Sequence, residues 1–234
     1  MQLPYFFEEN IPESGNLFLG EMSSRHIVQV LRMKETEEIN VTNGKGLLIT
    51  CSIINANKKK IEIAIKTRAL FSRLYPKISI AISLIKNANR FEWFLEKATE
   101  IGVSEIIPLI CSRTEKSSMK MERMRNIIVS AVLQSRQTWM PEFKEPVNLI
   151  HVLTEKSNQQ KFIAHCDDPK KKSLKDLNAT RAPQLILIGP EGDFTPDEIK
   201  AAIQNNFLPV TLGETRLRTE TAGIVAAILL MNKN

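Results

Sequence analysis

Ile188-Gly189-Pro190-Glu191-Gly192-Asp193-Phe194 and Leu212-Gly213-Glu214-Thr215-Arg216-Leu217-Arg218-Thr219-Glu220-Thr221-Ala222 are the two stretches on which the fold turns. Each starts where a short apolar run ends, Leu185-Ile188 for the first and Val210-Leu212 for the second, and each leads into a helix. After the first stands Thr195-Pro196-Asp197-Glu198, a capping box with proline at the first helical position. A buried strand, a glycine and a helix start form the joint of an open α/β sheet, and such sheets bind ligands at the carboxyl ends of their strands. Gly189 and Gly213 lack a side chain, so the backbone can approach a ligand closely there. Two such loops on neighbouring strands would make a pocket of backbone donors and acceptors suited to an adenine ring and a ribose. Taken singly, each loop also fits an ordinary strand-to-helix turn, and Arg218 with Glu220 also reads as an exposed ion pair at a helix start.

The same alternation extends back to about Arg73. Ile78-Ile85 is a continuous apolar strand suited to burial on both faces. A helix over Phe91-Ile101 follows, with Phe91, Phe94, Leu95, Ala98 and Ile101 on one stripe and Gly102 as its stop. The pattern then predicts a strand at Glu105-Ile110, a helix from about Lys120 to Gln137, strands at Lys161-Ala164, Gln184-Ile188 and Pro209-Leu212, and a last helix from about Thr219 to Asn232. Strands alternating with helices imply a parallel sheet covered on both faces.

Before this region the pattern is different. Short β-prone runs at Tyr5-Phe7, Asn16-Leu19, Glu38-Thr42, Leu47-Ile54 and Lys60-Lys66 are separated by turn formers such as Asn43-Gly44-Lys45-Gly46. One helix interrupts them, capped by Ser23 or Ser24, with Ile27, Val30 and Leu31 on one face. A compact barrel with one helix is the natural packing. The boundary falls near Leu70 to Pro76, giving domains of residues 1–72 and 73–234.

At 234 residues, with 43% hydrophobic and 25% charged residues, the chain can bury a real core. The start turns acidic before a long apolar run develops, and Ile224 to Met231 is too short to span a bilayer, so a cytoplasmic location without membrane insertion is expected. Cys51, Cys111 and Cys166 match no disulfide or zinc spacing and read as reduced, buried small hydrophobes; with His26, His151 and His165 also off ligand spacing, no metal is expected. The net charge of +6 suggests an anionic partner. Much of the excess lies in residues 113 to 144, where Arg113, Lys116, Lys120, Arg123, Arg125, Arg136 and Lys144 face only Glu115, Glu122 and Glu142, although a solvated helix face explains such a run equally well. The basic triplets Lys58-Lys60 and Lys170-Lys172 read as loop tips. No G-x-G-x-x-G, G-x-x-x-x-G-K-[ST] or G-x-S-x-G occurs, which removes the dinucleotide, P-loop and acyl-transfer readings.

At both glycine loops, at His26-Ile27-Val28-Gln29-Val30-Leu31-Arg32, at Lys97-Ala98-Thr99-Glu100-Ile101-Gly102-Val103, and at Arg113, Gln134-Ser135-Arg136 and Pro141, the chain resembles the RsmE family over essentially its whole length. These are bacterial methyltransferases of the SPOUT superfamily that act on N3 of a uridine, conventionally numbered 1498, in 16S ribosomal RNA. The resemblance implies a PUA-like β-barrel followed by a catalytic domain with a deep trefoil knot, S-adenosylmethionine as cofactor, the small ribosomal subunit as partner, and a homodimer whose interface could use the apolar last helix. It departs in two places: the family usually has glycine where Asp193 stands, and Thr215 and Arg216 hold the places of its usual Arg and Ile. Asp tolerates turn conformations, so the first loop should survive.

The resemblance assigns cofactor contacts to Ile188, Gly189, Glu191, Gly192, Leu212, Gly213, Leu217, Arg218, Glu220 and Thr221. Arg218 is the candidate for stabilising charge, and Glu220 for anchoring the loop or the dimer. Arg25, Arg32, Lys86, Arg90, Arg113 and Arg136 are candidates for holding phosphates, or for structural roles. His26 could stack on a base or be an ordinary surface histidine. The alternatives are 2′-O-ribose methylation of another RNA, and a non-catalytic RNA-binding protein of ribosome assembly.

Overall fold

The computed structural model describes residues 2–73, 76–115, 118–167, 171–177 and 182–231; Lys116, Lys170 and Asn232 of the sequence reading lie outside them. The chain forms two compact units: Met1–Arg73 with Val132–Met140, and Leu74–Ala131 with Pro141–Asn234. No helix among the described residues is long and apolar enough to cross a membrane.

The first unit contains β1 (Tyr5–Phe7), β2 (Asn16–Phe18), α1 (Glu21–Arg25) running into a π-helical turn at His26–Val30, β3 (Glu38–Thr42), β4 (Leu47–Asn55) and β5 (Glu62–Leu70). The sheet order is β1-β3-β4-β5-β2. Side chains that alternate along the strands fill its inner face: Ile39 and Val41, then Ile49, Cys51 and Ile53, then Ile61 and Ile63. Register shifts at Thr50/Cys51 and Ile53/Asn55 add local bend and twist to the long β4–β5 pair.

The helix differs from its sequence reading. Gly20 is the N-cap, and Ser24 is buried inside the helix, where its hydroxyl faces the carbonyls of Leu19 and Gly20 and accepts the Ile61 N–H at 2.9 Å. Ile27 is buried as expected, but Val30 and Leu31 are exposed, because the wider π turn shifts the phase of the apolar stripe.

Residues 132–140 join this unit through the backbone: Gly46 N–H donates to Thr138 O and Met140 N–H to Gly44 O, both at 2.8 Å. Trp139 lies against Gly46, where a Cβ would come within 2.6 Å of Phe71 O and 2.7 Å of the indole. Its Nε1–H donates to Phe71 O at 2.9 Å, and the Arg73 guanidinium lies 4.4 Å from the ring centroid.

The second unit begins with β6 (Ile78–Ser83), α2 (Ala88–Ile101), β7 (Glu105–Ile110) and α3 (Met121–Ser135), then β8 (Glu142–Phe143), β9 (Val147–Asn148) and α4 (Leu149–Thr154). It continues with β10 (Gln160–Ala164), β11 (Lys172–Ser173), α5 (Leu174–Leu177), β12 (Gln184–Ile188), α6 (Pro196–Gln204), β13 (Leu208–Thr211) and α7 (Thr219–Met231). The strand order is β11-β13-β10-β12-β6-β7-β8, with β9 also on β7, and every pairing is parallel. The expected parallel sheet is present, and β6 and β12 are buried along their whole length. One expectation is corrected: β12 and β13 are not neighbours, since β10 pairs with both and lies between them. Of the cysteines, Cys51 and Cys111 are buried but Cys166 is exposed, because it stands on the loop just after β10.

The apolar α7 packs on α2, β6 and β12. It comes close at Gly223, where a Cβ would meet the Phe94 ring at 2.6 Å and Ile82 Cδ1 at 2.9 Å. In an exposed helix interior, glycine-to-alanine gains about 1 kcal/mol. Here the added methyl meets a fully buried ring, and overpacking of this kind costs about 1–3 kcal/mol. Gly223→Ala is therefore expected to lower the unfolding free energy in urea titration; a more stable variant would show that α7 can lift off α2 freely.

Candidate functional site

Because all strands of the second unit run parallel, the loops after β10, β12 and β13 emerge at one edge of the sheet. They enclose a cavity of about 900 Å³, within the roughly 300–1,000 Å³ of small-molecule sites. Its walls include Ile188, Gly189 and Glu191 from the first glycine loop and Leu212, Gly213, Leu217 and Arg218 from the second. A third wall, His165 and Cys166 after β10 with nearby Lys171, was missed by the sequence reading. Once β10 lies between β12 and β13 its loop must open between theirs, but no glycine or motif marks it.

The first loop is held from several sides. Gly189 passes the Phe194 ring so closely that a Cβ would stand 3.1 Å from it, and Phe194 is buried beneath. Thr219, at the start of α7, donates its hydroxyl to Gly189 O at 3.0 Å, a buried bond that fastens the second loop to the first. Arg113 donates to Gly192 O at 2.6 Å. Asp193 adopts φ +62°, and its carboxylate accepts N–H bonds from Cys166 at 2.7 Å and Phe194 at 2.8 Å. Aspartate at this position thus bonds across to the loop after β10.

Arg90, on α2, reaches two carboxylates: its Nη1 is 3.3 Å from Glu191 Oε1 and its Nε 3.7 Å from Glu220 Oε1. Glu220 is buried and pairs with Arg90, not in an exposed pair with Arg218. Its other oxygen, Oε2, is buried with no hydrogen-bond partner among the described residues. Gly192, Glu220 and Thr221 do not line the cavity, whereas Thr219 and Ala222 do. Gly192 instead faces Arg113, where a Cβ would meet the Cδ at 3.3 Å. Gly213 (φ +155°) lines the cavity and has nothing within 4 Å of a Cβ position. Arg216 and Arg218 line the same cavity, are exposed, and form no ion pair among the described residues.

The other basic candidates are dispersed. On the first unit, Arg25 pairs with Glu21 at 2.6 Å, and His26 meets Phe6 edge-on at 6.0 Å between centroids. Arg32 (φ +54°) and Arg136 (φ +55°) are exposed on left-handed backbone. On the second unit, Lys86 pairs with Glu115 at 2.7 Å. The basic stretch from 113 to 144 is partly neutralised, since Arg123 pairs with Glu92 and Lys144 with Glu142.

No thiol here is poised as a nucleophile. Burial, reinforced by the charge of Glu198, pushes Cys111 up to about 12, and burial pushes Cys51 up to about 11. Cys166 is also raised, by burial and then by Asp193. No group of three or more metal-ligating side chains occurs among the described residues.

Residues 73–231 match the family model described as an RNA methyltransferase domain, and residues 20–66 match an RNA methyltransferase PUA domain. A ribosomal RNA small subunit methyltransferase E of Aquifex aeolicus is 30% identical, over 93% of this chain and 95% of that protein. The same-named protein of Buchnera aphidicola is 29% identical over 96% and 91%. The crystal structure of the Neisseria gonorrhoeae enzyme of that name, bound to S-adenosyl methionine, superposes with a TM-score of 0.84 at 27% identity, covering 97% of this chain and 96% of that one.

Glu198 joins two of the elements around the first loop. Besides closing the capping box with Thr195, its Oε1 accepts the Ser112 N–H at 2.8 Å. Burial alone would raise its pKa, but the donors at Thr195 and Ser112 outweigh burial and hold it below 4.5. A carboxylate with a depressed pKa in the folded state adds stability above its unfolded value and loses it as pH falls through the folded one. Glu198→Gln should therefore flatten the decline of stability below about pH 4.5; urea titrations at pH 6 and pH 3 giving parallel losses in both proteins would remove Glu198 as a source of acid lability.

Proposed function

This chain belongs to the ribosomal RNA small subunit methyltransferase E family, and from that premise we propose that it moves a methyl group from S-adenosylmethionine to N3 of a uridine in 16S ribosomal RNA. The observation that carries the reading is the single cavity enclosed by three strand-end loops, two of which are tied together by Thr219 and Gly189. The second unit is a SPOUT-type domain, the fold whose C-terminal segment is threaded through a deep trefoil knot.

The cavity fits the cofactor in size and lining: Ile188, Leu212, Leu217 and Ala222 supply apolar surface, and backbone groups around Gly189 and Gly213 supply hydrogen bonds. When bound, S-adenosylmethionine supplies a methyl made electrophilic by its sulfonium. The chain must then hold the nucleophile in line and manage its proton. Uridine N3 is an imide nitrogen on the pairing edge, so the residues must receive an unpaired base and stabilise the charge that develops at O2 or O4 as the proton leaves. Arg218 is assigned that stabilising role because it lines the cavity and forms no ion pair among the described residues. Arg90, engaged by Glu191 and Glu220, is assigned to holding the first loop against α7. Glu191, Gly192, Glu220 and Thr221 then serve the cofactor chiefly by shaping the loops.

The PUA-like domain, residues 1–72, is assigned to RNA, with Arg25, His26, Arg32 and also Arg136 as contacts; on the catalytic domain, residues 73–234, Lys86 and Arg113 are assigned to phosphates. The rRNA is taken to be presented within the small ribosomal subunit, in the cytoplasm, to a homodimer that uses the exposed part of α7.

Gly213→Glu should abolish cofactor binding with the fold retained, since Gly213 lines the cavity and a Cβ there meets nothing within 4 Å; unchanged affinity by calorimetry would contradict the pocket. Primer extension on 16S rRNA from a deletion strain should lose a strong stop that the wild type shows, because N3 methylation blocks pairing. A modification that leaves extension unhindered would point to ribose methylation instead. Arg136→Ala should lower the salt slope of RNA binding by about 1, and an unaltered slope would take Arg136 off the phosphate contacts.

A further inference from the structure

Asp193 stands at the end of the first glycine loop with φ +62°, a backbone region in which glycine is the default residue. Its own N–H closes the turn on Pro190 O at 2.9 Å. The side chain that the position admits at this conformational cost spans to another strand end. Asp193 Oδ2 accepts the Cys166 N–H at 2.7 Å, and Oδ1 accepts the Phe194 N–H at 2.8 Å. One carboxylate thereby joins loops that lie 27 residues apart in sequence, each following a different strand of the sheet.

The geometry points to Asp193 as a positioning residue: its carboxylate holds the loop after β10 in place as the middle wall of the cofactor cavity. This rests on the cofactor reading of that cavity. The wall needs a tether because Cys166 is exposed and marked by no turn signal, and because β10 ends between β12 and β13 with a loop on either side. Asp193 and Cys166 both line the cavity, so a shift of this tether changes the shape of the site itself. Charge-assisted bonds to backbone N–H groups are roughly twice as strong as neutral ones, so a carboxylate does what an uncharged side chain does only in part.

The test separates the turn from the tether. Asp193→Gly keeps a residue at ease with positive φ and removes both accepted bonds; Asp193→Asn tolerates the same backbone and keeps one acceptor oxygen. Calorimetry with S-adenosylmethionine should show affinity weakened by roughly tenfold or more in the glycine variant, with the asparagine variant in between. Alkylation of Cys166 by iodoacetamide, followed by mass spectrometry, should be faster in the glycine variant, because the loop is released and the neighbouring negative charge is gone; Cys51 and Cys111, both buried, act as internal references. Wild-type affinity together with wild-type labelling in Asp193→Gly would overturn the proposal. So would weakened affinity accompanied by faster labelling of Cys51 and Cys111, which would report general loosening. If the wild type itself binds no S-adenosylmethionine, the methyltransferase reading falls, while faster Cys166 labelling in the glycine variant than in the asparagine variant, both of which lack the charge, still decides whether Asp193 holds the loop.

Discussion

Gly223 brings α7 down onto Phe94 and Ile82 so closely that no side chain fits between them. With the helix seated there, its first residue Thr219 lies within reach of Gly189 O, and the second glycine loop is drawn over the end of β12. Arg90, from the helix on which α7 rests, can then engage Glu191 of the first loop and Glu220 of α7 together. The cavity is thus a consequence of helix packing as much as of loop sequence. The Thr219 bond and the Arg90–Glu220 pair each satisfy a buried polar group, and an unpaired group of that kind is costly.

Most of the tethers converge on residues 189 to 194. Thr219, Arg113, Asp193 and Arg90 each tie this stretch or its neighbour to a different element. A site built to position a methyl donor against an RNA base benefits from such rigidity, since misplacement by about an ångström can cost on the order of a hundredfold in rate. Two cavity cations that form no ion pair among the described residues, Arg216 and Arg218, lie on the second loop. The displacement of arginine from position 215 to 216 leaves that loop with two cations facing the cavity.

The basic stretch from 113 to 144 shows how little composition says about a surface. Arg113 is used to hold a carbonyl, Arg123 and Lys144 are paired, and Arg136 belongs with the first unit, where it ends α3 on left-handed backbone. The proposed RNA contacts are therefore particular exposed side chains such as Arg32 and Arg136 rather than a charge field.

The local elements and the chemistry of the loops were legible in the order of the residues. Apolar runs bounded by turn residues gave β6, β7 and β12, Gly102 ended α2, the Thr195–Glu198 box started α6, and the glycine loops carried a family pattern. These are legible because hydrophobic period, caps and turns act over a few residues. Tertiary structure alone decided that β10 separates β12 from β13, that residues 132–140 add to the first unit, that Glu220 is buried against Arg90, and that the loop after β10 is part of the site. The reason is the same in each case. Strand order and close packing bring together residues tens of positions apart, through backbone pairing and steric fit that leave no periodic mark on the chain.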